Sequence, residues 1–163
     1  MREPYKSLIE KLLNGLKKRY KERLISFVVF GSIARGDERR DSDIDVLIII
    51  DGLPKSRLKR QKEFMEIEKE VEREIEELFE QGYFIDFSPI LRTPQEAEKI
   101  IPLYLDMTED AIILFDKENF FKSVLEKLKE RLKELKAKRV WIGKKWYWIL
   151  KPDYKFGEVI KIG

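Results

Sequence analysis

Residues 28–50 read VVFGSIARGDERRDSDIDVLIII: two apolar runs separated by a glycine turn, three arginines and five carboxylates. An isolated carboxylate inside a protein is unfavourable unless it is paired or bound to a metal. Residues 24–30 form a short β-rich run ending at Gly31, and residues 44–50 are almost wholly apolar, as in a central strand covered on both faces. Asp43 and Asp45 stand at the start of that second strand. Two residues apart, they leave it on one face with Cα atoms roughly 6.6–6.8 Å apart, while Ile44 faces the core. Two carboxylates so placed can share divalent ions, because paired catalytic metals sit roughly 3.5–4 Å apart and are bridged by such oxygens.

A third carboxylate on a neighbouring strand, about 4.8 Å away, would complete a cage. Asp86, in YFIDFSPI at 83–90, is the candidate. Ile85 and Phe87 point opposite to it, and an aspartate inside such a strand is disfavoured by propensity and by burial. Three anions crowded together without a cation would raise one another's pKa. The chain has no histidine and no cysteine, so oxygen donors are the expected ligands. They favour Mg2+, with Mn2+ as the alternative, over zinc. The same absence excludes disulfides and Ser-His-Asp or Cys-His catalysis. Taken singly, each aspartate reads as a turn cap or a solvated edge residue. Their conjunction points to a metal.

Gly31-Ser32 closes the first strand and opens SIAR, a candidate helix start. Backbone N–H groups there suit a phosphate, glycine permits its close approach, and the Ser32 hydroxyl adds a donor. Arg35, one turn on, can add a charge-assisted contact. GSIARGD is not a Walker loop, since Asp37 and Glu38 follow Gly36 where Lys and Ser/Thr would be needed. Beside the carboxylates it reads as half of a nucleoside-triphosphate site.

Outward from this stretch, Tyr5, Leu8, Ile9, Leu12, Leu13, Leu16 and Tyr20 recur at helical spacing and predict a helix over 4–22. Phe64, Ile67, Val71, Ile75 and Leu78 predict one long helix over 55–81, stopped by Gly82. Residues 83–91 are a third strand, Pro94 opens a short helix, and residues 111–115 are a last short strand. A further helix is expected over 117–138, followed by two short strands around Gly143. The fold class is therefore α+β, a small mixed sheet backed by helices. The expected division is a domain over 1–116 and a C-terminal helix and arm over 117–163.

Residues 1–116 carry 20 basic and 25 acidic side chains, and residues 117–163 carry 14 and 6. A basic tail holding Trp141, Trp146 and Trp148 could attract nucleic acid or an acidic partner, although a solvated helix face is the commoner meaning of such a surplus. The charged fraction of 40%, with three Gln and two Asn, matches the hyperthermophile pattern of ion pairs and few labile amides. No stretch approaches the roughly 20 apolar residues of a membrane span, and the N-terminus does not read as a signal peptide. The expectation is a cytoplasmic protein.

Gly31-Ser32, ten intervening residues, then Asp43-Ile44-Asp45-Val46, together with Ile85-Asp86-Phe87, resembles the polymerase β nucleotidyltransferase superfamily. The resemblance is strongest to its minimal nucleotidyltransferases, many of them antitoxins paired with HEPN-domain proteins, and it covers roughly residues 5–116. It implies that Asp43 and Asp45 bind two Mg2+ ions. Asp86 would bind one metal and help deprotonate the attacking hydroxyl, and Gly31 and Ser32 would hold the β- and γ-phosphates. The implied reaction is transfer of a nucleoside monophosphate, with ATP the expected donor. The acceptor is a hydroxyl, led by a tyrosine of a HEPN-type toxin, ahead of an aminoglycoside or an RNA 3′ end. The arm beyond residue 116 lies outside the family pattern; it is read as a packing or homodimer arm, a base or RNA platform, or an acceptor-docking lid. The alternatives to an enzyme are a nucleotide sensor on the same scaffold and an RNA-binding protein acting through the tail.

Overall fold

The apolar stripe of the first helix, α1 (Tyr5–Tyr20), is buried along its length from Tyr5 to Tyr20. The computed structural model describes residues 1–163. After α1 come β1 (Leu24–Phe30), α2 (Gly31–Arg35), β2 (Ile44–Ile50), α3 (Arg57–Glu68), α4 (Glu72–Glu80), β3 (Phe87–Arg92), α5 (Pro94–Ala97), α6 (Leu103–Asp110), β4 (Ile112–Asp116), α7 (Phe120–Glu134), β5 (Lys138–Ile142) and β6 (Lys145–Ile149). Four strands form one mixed sheet in the order β3-β2-β1-β4. Strand β1 runs antiparallel to β2 and β4, while β2 and β3 are parallel.

Alternation along the two central strands fills two cores. Phe27, Val29, Val46, Ile48 and Ile50 pack with α1 and α3 on one face. Val28, Leu47 and Ile49 pack with α6 and α7 on the other. That is why β2 is apolar at every position after Asp45: neither of its faces meets water. The fold is thus the expected α+β class, with helices covering both sides of the sheet.

Three predicted elements differ from the structure. The helix expected over 55–81 is broken by a 3-10 turn at Lys69–Val71, where Val71 leaves helical geometry and is drawn into the core with 0% exposure. The turn packs against α1, where Gly15 gives room: a Cβ there would stand 3.2 Å from Ile67 Cγ2. The strand expected over 83–91 begins only at Phe87, because the Phe84 N–H donates to the Arg40 carbonyl in a loop (2.8 Å) instead of joining the ladder. The helix expected over 117–138 starts at Phe120, after a turn in which Glu118 and Asn119 take positive φ.

Helix α7 lies beyond residue 116, and its Phe121, Leu125, Leu128 and Leu132 share a core with Val28, Leu47 and Tyr104. Asp116 ties the two segments together. Its carboxylate accepts from the N–H groups of Phe121 and Lys122 (both 2.9 Å), capping α7, and from the fully buried Ser26 hydroxyl at 2.6 Å. Asp116→Ala is expected to lower the unfolding free energy by about 1–3 kcal/mol, through the lost cap and the unpaired Ser26 hydroxyl. Chemical denaturation measures this, and adding Ser26→Ala should restore part of the loss.

The chain ends in a second sheet of two strands, the β5–β6 hairpin, turning through Gly143 at φ 62. Its two-residue connection begins with glycine, as a tight hairpin turn with positive φ at its first position requires.

Candidate active site

The antiparallel register of β1 and β2 sets Phe30 opposite Asp45, so the turn leaving β1 at Gly31 lies against the Asp45 side chain. Gly31 has φ +72, and a Cβ there would collide with Asp45 Oδ2 and stand 3.1 Å from its Cγ. Conformation and space both exclude a side chain at this position. Gly31 opens α2, whose first amides carry no side-chain cap. With only five residues, α2 contributes local N–H donors more than a macrodipole. Ser32 is the second residue of that turn, half-buried.

Asp45 is half-buried, and burial is the main force raising its carboxyl above the usual aspartate range. The neighbouring Asp43 adds to the rise, while Arg35 and a hydrogen bond with the Ser88 side chain oppose it. Asp43 is exposed at the mouth of β2. Asp86 is exposed immediately before β3, between the buried Ile85 and Phe87, and so faces as its neighbours' alternation requires. Its carbonyl accepts from the Ile44 N–H (2.8 Å), and its Oδ1 accepts from the Phe87 N–H (3.0 Å). Its closest acidic partner is Glu68 at the end of α3. Burial, the Asp86 charge and a hydrogen bond between the two side chains push the Glu68 carboxyl up to about 6.

Asp43 and Asp45 are therefore brought together, and Asp86 lies with Glu68. No three carboxylates are gathered closely enough to enclose a cation. In the parallel register Ser88 stands opposite Asp45, and Asp86 comes just ahead of the first pair, Ile44 with Phe87. The donor set present is a carboxylate pair at an open mouth. Mg2+ accepts one or two carboxylates and completes its shell with waters and substrate phosphates. The residues at the mouth of β2 fit that ion.

Arg35 reaches the same place from α2. Gly31, Arg35, Asp45, Asp106, Asp110 and Trp146 line a cavity of about 220 Å³. The Trp146 and Trp148 indoles both donate to Asp106 Oδ1, at 2.6 and 2.8 Å. The C-terminal hairpin is thus fixed on α6 with Trp146 in the cavity wall, and two of its tryptophans are turned inward. A larger cleft of about 800 Å³, between α7 and the last residues of the chain, has none of Asp43, Asp45 and Asp86 in its lining.

Sequence reasoning missed Ser88, Glu68, Asp106, Asp110 and Arg139. A signal existed for three of them. Ser88 lies two residues beyond Asp86 on the same strand face, and Asp106 and Asp110 are four apart on one helix face. Glu68 and Arg139 gave none, since their neighbours are distant in the chain.

Residues 9–79 match the family described as nucleotidyltransferase domain, a span that includes Gly31, Ser32, Asp43 and Asp45 and ends ahead of Asp86. Over 142 residues, 86% of this chain and 91% of the relative, it is 33% identical to "Putative protein adenylyltransferase MJ1305" of Methanocaldococcus jannaschii. The chain belongs to the nucleotidyltransferase family. A shorter likeness links this nucleotidyltransferase to "Putative protein adenylyltransferase MJ0604" of the same organism, 46% identical over 43 residues, which is 26% of this chain and 43% of that protein. Among solved structures, a toxin-antitoxin with AMP-PNP is similar over 78% of this chain and 92% of that one, with TM-score 0.45 and 16% identity. No helix of the nucleotidyltransferase is long and apolar enough to cross a membrane.

Proposed function

We propose that this nucleotidyltransferase moves AMP from ATP to a hydroxyl of a partner protein, with Mg2+ as its cofactor. A tyrosine of a HEPN-type toxin is the acceptor suggested by the family resemblance. The observation that carries the reading is the register of β1 and β2, which sets a glycine turn with open amides against a half-buried carboxylate. The name of the longer relative, a protein adenylyltransferase, supports a protein acceptor.

In this reading the amides of the Gly31-Ser32 turn, the Ser32 hydroxyl and the Arg35 guanidinium hold the β- and γ-phosphates. Asp43 and Asp45 would hold magnesium, which when bound supplies charge stabilisation for the phosphate oxygens. The acceptor oxygen bonds to the α-phosphorus and the bond to the pyrophosphate oxygen breaks. Asp86, exposed just before β3 at the same end of the parallel β2–β3 pair, takes the hydroxyl proton. Ser88 stands opposite Asp45 on the neighbouring strand, and Gly31 keeps the phosphate turn close to the carboxylate.

The test incubates the protein with a candidate toxin and ATP labelled at either the α- or the γ-phosphate, with Mg2+ and with chelator. Label should pass to the protein acceptor from the α position only, and only with Mg2+. Transfer from the γ position, or equal transfer in chelator, would overturn the proposal. Tight ATP binding without transfer to any acceptor would favour a nucleotide sensor.

A further inference from the structure

We infer that the C-terminal hairpin positions Arg35 for the polyphosphate of the donor nucleotide, with Trp146 as its support and Arg139 as the residue that keeps Asp110 from capturing it. This rests on reading Gly31–Arg35 as the phosphate turn. The Arg35 guanidinium lies over the Trp146 ring, 4.6 Å from its centroid. Such stacking uses the face of the guanidinium and leaves the N–H donors at its edge available to an oxyanion.

Two carboxylates compete for those donors. Asp37 Oδ2 is 3.3 Å from Arg35 Nε, on an exposed side chain that water screens. Asp110 is the stronger rival, because its side chain is only 9% exposed. Yet its distance to Arg35 is 3.8 Å, beyond a direct hydrogen bond. Both Asp110 oxygens are already taken by Arg139, at 2.6 and 3.0 Å, a two-pronged pair that satisfies the carboxylate. Without Arg139, a nearly buried anion would be left beside Arg35, the nearest remaining guanidinium that could move in to pair with it.

The support is itself held from several sides. Trp146 donates to Asp106 at 2.6 Å, Arg139 lies 5.4 Å from its ring centroid, and the Trp141 ring is 4.9 Å away. Strand pairing sets Trp141 opposite Trp146 and Arg139 opposite Trp148, so one hairpin face delivers all these groups to α6 together. Arg35 is thus presented at the cavity containing Gly31 and Asp45, with Asp37 on its Nε as an exposed partner and the buried Asp110 held off by Arg139.

The three tryptophans of the chain all lie in this hairpin, so selectively excited tryptophan fluorescence reports on it rather than on the rest of the chain. The full-length protein is titrated with ATP and, separately, with inorganic tripolyphosphate, following tryptophan emission and heat of binding. Wild type should bind both ligands with a change in emission. Arg139→Ala should bind both roughly tenfold more weakly, about 1.4 kcal/mol, with the loss in turnover assays falling on KM rather than kcat. Adding Asp110→Asn should recover the affinity, a rescue that a merely structural role would not give. Trp146→Leu should weaken binding similarly, and Trp146→Phe should retain most of it. Should Arg139→Ala fail to fold, the two Trp146 variants decide the question by the same readout. Wild-type binding with undiminished affinity in Arg139→Ala or Trp146→Leu, or no rescue by Asp110→Asn, overturns the hairpin's role alone. Absence of ATP and tripolyphosphate binding by wild type overturns the phosphate reading of the turn, and this inference with it.

Discussion

Gly31→Ala should reduce nucleotidyl transfer by about 10²-fold or more while leaving a folded protein. The backbone at Gly31 is left-handed, φ +72, which a residue with a Cβ adopts at a cost of roughly 1–2 kcal/mol. The added methyl would also occupy the place of Asp45 Oδ2. The backbone on both sides is fixed by the β1–β2 ladder, so the carboxylate has to rotate away from its place beside the turn. A shift of about 1 Å in such a group is enough for a 10²-fold loss. Label transfer from α-labelled ATP gives the rate, and denaturant unfolding should show a loss of only a few kcal/mol, about the strain plus a local repacking. Unimpaired transfer would mean that the turn does not serve the phosphates.

Asp45→Asn should abolish transfer, by about 10³-fold, and at the same time make the metal-free protein more stable at neutral pH. Burial and the Asp43 charge both disfavour the Asp45 carboxylate, and Arg35 with Ser88 only partly offsets them. The sign follows from linkage. A carboxyl whose pKa is raised on folding binds its proton more tightly in the native state, so its contribution to stability falls as pH rises from the unfolded value through the folded one. The amide carries no such charge. Thermal unfolding in chelator should therefore give a higher midpoint for Asp45→Asn at pH 7, and the gap should close in acid, where the wild-type carboxyl is protonated. Added Mg2+ should raise the midpoint of wild type but not of the variant. A variant that is less stable at pH 7 in chelator would mean that the carboxylate serves the fold rather than the site.

The two strands that build the site were legible because their signals are local. Residues 24–30 and 44–50 are single apolar runs bounded by a glycine and by carboxylates, and both became strands with those bounds. The pairing of Asp43 with Asp45 followed from strand alternation. The break in the second long helix was not legible, since the stripe Phe64, Ile67, Val71, Ile75 continues through it with no Pro or Gly, and only packing against Gly15 of α1 decides where the helix turns. The placement of Asp86 was half legible. Its alternation with Ile85 and Phe87 held, but the parallel register with β2 and the neighbouring Glu68 carboxylate both join segments that are not adjacent in the chain. The partners of the tryptophans were out of reach for the same reason, because Asp106 is 40 residues from Trp146 in the chain.

The pairing of β1 has a consequence for the order in which the chain can assemble. On one side β1 meets β2 across a connection of only thirteen residues, and that meeting alone creates the contact between Gly31 and Asp45. On its other side it meets β4, and Ser26 finds Asp116 across 90 positions of sequence. Loop-closure entropy makes the first contact easy and the second slow. During synthesis from the N-terminus, the turn and its carboxylate can be in register before α6, α7 and the hairpin have been made. The centre of the site is then the oldest part of the folded molecule, and the arm that steadies Arg35 is the last to arrive.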